Sequence, residues 1–128
     1  MQRETIINDL FTLLKPLCKN VELFLTPVFE RKDLPIIIIK DTDDIIENDA
    51  FVSISHALSV EIRMITAKYN ASNEIIKAVL NALKEYKSKF LKIEQTSLNR
   101  ESFELYDDEY ILSTITLKIY YKSEIWEA

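Results

Sequence analysis

Glycine is absent from the 128 residues of this chain. Average usage of about 7% would give roughly nine in a chain of this length. The absence excludes a P-loop, a G-x-G-x-x-G dinucleotide fingerprint and a G-x-S-x-G nucleophile elbow, because each needs glycine where the backbone turns sharply or approaches a phosphate. Left-handed turn positions should then fall to Asn and Asp, the next most tolerant residues. Asn20, Asn48, Asn70 and Asn99 all stand between periodic segments, as that role requires.

Cysteine is scarce too. Cys18 is the single one, so no internal disulfide can form, which agrees with a reducing compartment. It has no second Cys or His at ligand spacing and no zinc site is expected. It lies beside Leu17 and Lys19 at the end of a helical pattern, where the helix dipole disfavours a thiolate; it reads as a packing residue. No apolar run approaches the roughly 20 residues of a membrane span. Met1 to Thr5 leads straight into a helical pattern containing Asp9, unlike a secretory leader, so an intracellular protein is expected. Basic charge is in deficit, with a formal net charge of −5. That argues against nucleic-acid binding by phosphate neutralisation.

What is present is a chain with 48% hydrophobic residues, enough for one sizeable core, and a single domain over 1–128 is expected. From Val52 to Met64 apolar and polar residues alternate with period two, the pattern of a strand with one face on a core. After Asn70 the period changes. Ile75, Ile76, Val79, Leu80 and Leu83 fall on one helix face, predicting a helix over 72–87. Upstream, Ile6, Ile7, Leu10, Leu13 and Leu14 predict a helix from Thr5, as N-cap, to Lys15, stopped by Pro16. Val21 to Leu25 reads as a short strand. Ile36 to Ile39 reads as a strand covered on both faces, since it lacks alternation.

Asp41 to Asp49 reads as an acidic loop. A strand from Val52 to Lys68 would span roughly 55 Å at about 3.3 Å per residue, so a break near His56 or a projecting hairpin arm is expected. Phe90 to Ile93 is ambiguous between loop and strand. Thr96 to Tyr106 and Tyr110 to Tyr121 make two more strands around an Asp107-Asp108 turn. The order α-β-β-β-α-β-β predicts an α+β domain with a mixed or antiparallel sheet and the helices packed on it.

Candidate chemistry is thin. His56, the only histidine, lies on the apolar face with Ile54 and Leu58 and has no Ser or Cys nucleophile near it in sequence; it reads as structural or interfacial. Asp41, Asp43, Asp44, Glu47 and Asp49 fail the EF-hand template, with Ile46 at the glycine position and Val52 at the terminal glutamate position. Lys84, Lys87, Lys89 and Lys92 cluster at a helix C-terminus, where the dipole favours cations. No catalytic, cofactor or metal residue is assigned. Trp126 is hard to bury from the end of so small a domain. With the doubly apolar Ile36–Ile39 strand it points to a covering surface from a neighbouring subunit. The interface candidates are Asp41, Asp43, Asp44, Glu47, Asp49, Lys84, Lys87 and Trp126.

The layout resembles the tail terminator proteins of long-tailed bacteriophages, the group of lambda minor tail protein U. The residues that carry the likeness are the Pro-led strand Leu34-Pro35-Ile36-Ile37-Ile38-Ile39, the long strand Ser59 to Ile65, the helix after it, and Tyr106-Asp107-Asp108-Glu109 running into Leu112 to Tyr121. The resemblance covers nearly the whole chain by pattern, without a diagnostic motif, and the missing glycines depart from many members.

It implies a virion tail protein assembled in the bacterial cytoplasm: a hexameric ring that caps the tail tube, ends its polymerisation and meets a head-completion or connector protein. It implies no catalysis and no cofactor. An acidic balance suits a ring through which DNA passes. Two alternatives stand beside it: another head–tail connector, and a cytoplasmic α+β regulatory or immunity-type module with a single partner. A small enzyme has only His56 and the acidic run to speak for it.

Overall fold

The computed structural model describes residues 2–48, 53–86 and 92–124. Helix α1 (Gln2–Leu14) is followed by a short 3₁₀ turn, strand β1 (Asn20–Leu23) and a second 3₁₀ turn. Strands β2 (Ile36–Asn48) and β3 (Ser53–Thr66), helix α2 (Tyr69–Glu85), and strands β4 (Lys92–Leu105) and β5 (Asp108–Glu124) complete the chain. The five strands form one mixed sheet in the order β1-β2-β3-β5-β4. β1 runs parallel to β2, and the other neighbours are antiparallel. This is the α+β order that the periodicities predict.

The helix-facing side of the sheet carries the main core. Ile6, Leu10 and Leu14 of α1 and Ile75, Ile76 and Val79 of α2 pack on Val60, Ile62 and Met64 of β3 and on Ile115, Leu117 and Ile119 of β5. β3 alternates buried and half-buried residues from Ser53 to Arg63. Its even-numbered residues face the helices because side chains alternate across a pleated strand.

Ile36 to Ile39 are all buried, but the covering surface is the chain's own. Ile37 and Ile39 join the helix-side core, while Ile36 and Ile38 meet Phe29, Ile65 and Tyr110 on the opposite face. Phe29 seals that face, edge-on to Tyr110 at 5.3 Å. The isoleucine strand therefore calls for no second subunit. A segment without helix or strand periodicity does the covering.

Other expectations are corrected. Residues 41–48 are the second half of β2, paired with β3, and not a loop; Asp49 lies outside the described residues. β3 is unbroken at His56 and no free arm forms, because β5 pairs with it along its whole length. The irregularity falls on β2, a bulge between Asp41 and Asp44.

Helix α1 begins before Thr5, which is therefore no cap; α2 begins at Tyr69 and ends at Glu85. Lys92 and Ile93 belong to β4. The described left-handed non-glycine positions are Phe24, Tyr106 and Asp107. Only Asp107 follows the expected chemistry. Asn20, Asn48, Asn70 and Asn99 lie within strands or helix.

Candidate assembly interface

The bulge sets which side chains of β2 face the helices. Before it, Ile37, Ile39 and Asp41 lie opposite Met64, Ile62 and Val60, so odd-numbered residues face inward. After it, Asp44 lies opposite Leu58 and Ile46 opposite His56, so even-numbered residues do. One extra residue exchanges the two faces of a strand. Asp44 is thereby turned into the protein.

Asp44 is held by two partners. Arg3 Nη2 donates to its Oδ2 at 2.7 Å, and His56 Nδ1 lies 2.6 Å from the same oxygen. The carboxylate fixes the tautomer: Nδ1 carries the proton and donates, and Nε2 faces the Ser123 hydroxyl at 2.6 Å. Tyr121 lies flat on the imidazole, ring centroids 4.3 Å apart. The hydrogen bond to Asp44 raises the Arg3 pKa, and burial raises that of Tyr121. Helix α1 and strands β2, β3 and β5 are tied together at one point.

Asp44, His56 and Ser123 are in outline an acid–base–nucleophile series, which sequence spacing did not reveal. The geometry suits bracing better than acyl transfer. Asp44 shares its oxygen with a guanidinium, His56 is buried beneath Tyr121, and the Ser123 backbone lies within the β3–β5 ladder.

The sequence-predicted interface residues separate. Asp43 and Glu47 are exposed and Asp41 is half-buried, all along β2; Asp44 points inward. Lys84 is exposed at the end of α2. It borders a surface cavity of about 500 Å³ with Leu80, Tyr86 and Ile93. Lys87 and Trp126 lie outside the described residues. Tyr86 donates its hydroxyl to Asp9 at 3.2 Å, and burial together with that carboxylate pushes its pKa up to about 12. Cys18 is half-buried and its thiol pKa is raised by burial. No group of three or more His, Cys, Asp or Glu among the described residues has the arrangement of a metal site.

Apolar exposure is the feature that sequence reading missed. Leu23, Phe24, Leu25 and Val28 are exposed, Val28 at 96%, and so is Tyr106 at 80%. Beside Val28 and Tyr106 opens a groove of about 390 Å³, floored by Phe29, Ile38, Ile65 and Leu112, on the face away from the helices. Only the fold reveals it, since its walls come from the 24–35 segment and from both ends of the β4–β5 turn.

No protein-family model matches the chain. No curated protein matches it either. Among solved structures it is similar to a chain from the virion of the native gene transfer agent (GTA) particle, with 13% identity and a TM-score of 0.52. The chain shares that fold. The likeness covers 87% of this chain and 83% of the other.

Proposed function

We propose that this chain is a structural protein of a phage-like virion or prophage tail, a terminator. In this reading it forms a ring, hexameric in the resembled family, that caps the tail tube, ends its growth and offers a surface to the head-completion protein. The observation that carries the reading is the fold shared with a gene transfer agent virion chain over most of both lengths. The layout resemblance to tail terminators points the same way.

Partners are then further copies of the chain, the tube protein and a connector; no enzymatic activity, cofactor, membrane or specific nucleic acid belongs to the role. Among the described residues no helix is long and apolar enough to cross a membrane. The place of action is the virion tail, after assembly in the bacterial cytoplasm. Asp41, Asp43 and Glu47 on β2, with Asp49, and Lys84 with Lys87 and Trp126, are the proposed subunit contacts. Asp44 belongs instead to the internal brace.

Mass by light scattering, with and without tail tubes, tests the reading. A discrete multi-subunit species that blocks tube extension is expected. A wild type that stays monomeric in both conditions overturns it. The same fold would also serve another head–tail connector, which would form a ring yet leave tube length unchanged.

A further inference from the structure

We infer that the brace is a latch worked by protons: when His56 takes up a second proton, Asp44 passes from Arg3 to the imidazolium, and the first turn of α1 comes free of the sheet. The device is independent of the proposed tail role.

Ser123 makes room for the second proton. Its hydroxyl has one hydrogen and two acceptors in reach, His56 Nε2 at 2.6 Å and the Glu124 carbonyl at 3.1 Å. Beside a neutral imidazole it donates to Nε2, because the one ring proton, on Nδ1, points at Asp44. Beside an imidazolium it turns, donates to the Glu124 carbonyl and accepts from Nε2–H. Both ring nitrogens are bonded in either state, and no heavy atom has to move between them.

The charges decide what gives way. Among the described residues the groups that face the imidazole are Asp44 from β2, Arg3 from α1 on the same carboxylate oxygen, and Tyr121 from β5, whose phenol borders both. Glu47 of β2 and Lys122 and Glu124 of β5 alternate onto the opposite face. With a neutral imidazole, one cation answers one carboxylate. The second proton sets two cations on an Asp44 side chain only 6% exposed, and a buried charge without a counter-ion is costly.

His56 is not free to leave. Its side chain is wholly buried against Tyr121, and its strand is paired on both sides. Arg3 is: its side chain is 33% exposed, and a single Nη2 donor at 2.7 Å holds it to Asp44. Released into water, it carries the excess charge out of the protein. The ion pair that ties the first turn of α1 to β2 goes with it.

The isotope-labelled full chain tests this by NMR, since its one histidine gives a single imidazole spectrum. From about pH 8 to 5, the range in which histidine changes charge, the ring should pass from the Nδ1–H tautomer to the doubly protonated form. Over the same range the amides of Ile6 and Ile7, which close the first helical turn onto residues 2 and 3, should lose about tenfold in exchange protection factor, the scale of one hydrogen bond to a charged group. Ile62 and Ile115, in the core below, should keep theirs.

Arg3→Gln should leave Ile6 and Ile7 weakly protected at every pH while the histidine still gains its proton. His56→Gln retains a donor for Asp44 and an acceptor for Ser123 without the charge, and should make the protection independent of pH. A ring that stays singly protonated down to acid unfolding overturns the latch. So does an imidazolium that forms while Ile6 and Ile7 stay protected, or a wild-type pH dependence that persists in His56→Gln. Should that variant fail to fold, Arg3→Gln decides: a pH dependence at Ile6 and Ile7 as large as the wild type's, with Arg3 gone, overturns the latch as well.

Discussion

Asp44 and His56 stand 12 residues apart in the chain and meet at 2.6 Å, Oδ2 to Nδ1, across the β2–β3 hairpin. The bulge between Asp41 and Asp44 makes the meeting possible. In the register that holds before the bulge, Asp44 would fall opposite Ala57, on the face away from the helices. The extra residue places a carboxylate, with Arg3 as counter-charge, where the end of the sheet needs fastening to α1.

The brace should therefore carry stability that its neighbours do not. Asp44→Ala leaves Arg3 and His56 without their shared acceptor and should cost about 1–3 kcal/mol in urea denaturation, as for other orphaned polar groups. Asp43→Ala, one residue away and exposed, should stay within about 0.5 kcal/mol. Equal losses at the two positions would mean that the ion pair is not what fastens the sheet.

Ile62 is fully buried at the centre of the helix-side core. Ile62→Ala should cost about 2–5 kcal/mol, the range for deleting a buried aliphatic side chain. Ile38→Ala should fall in the same range, because Phe29 and Tyr110 bury it within one subunit. A loss at Ile38 that appears only in assembled material would show that its cover comes from a neighbour after all.

Stability should fall at alkaline pH through Tyr86. Burial and Asp9 raise its pKa from 10 to about 12, so the fold favours the neutral phenol. The contribution is complete below pH 10 and disappears as pH rises through about 12. Tyr121 shifts in the same direction, so part of the fall remains without Tyr86. Urea midpoints across that window should decline less steeply in Tyr86→Phe than in the wild type. Parallel declines would refute the assignment.

Charge on β2 should tune assembly if the acidic strand faces Lys84 and its neighbours across a subunit joint. Asp43→Lys with Glu47→Lys should shift the assembly toward monomer with unchanged circular dichroism, and salt should weaken the wild-type assembly. Light scattering across a salt series checks both. Assembly that is indifferent to both changes would assign the joint to apolar contacts alone.

Metal and nucleotide should have no effect on melting. Chelator, common divalent cations and nucleotides should leave Tm within about a degree in a thermal-shift series. A shift of several degrees would reveal a site that neither the EF-hand register nor the described side chains suggest.

The sequence by itself determined the element order, the alternation of β3 with its even-numbered core face, and the apolar stripes of both helices. These are local: alternation and the 3.6-residue period are written in neighbouring residues and need no knowledge of partners. It also placed His56 on the core face, where the structure finds it buried.

Only the tertiary structure decided the rest. The acidic run became strand because pairing with β3 outweighed its low strand propensity, and tertiary context routinely overrides so weak a preference. Asp44 met Arg3 from 41 positions away through a register shift that no residue in Thr42-Asp43 announces, and His56 met Ser123 from 67 through the β3–β5 pairing. The second face of the isoleucine strand was closed by Phe29, from a segment without periodicity, and the groove beside it exists only once three distant segments converge. Periodicity tells a strand which side is inward. Which distant side chain waits there is set by register and chain crossing, and those are properties of the folded whole.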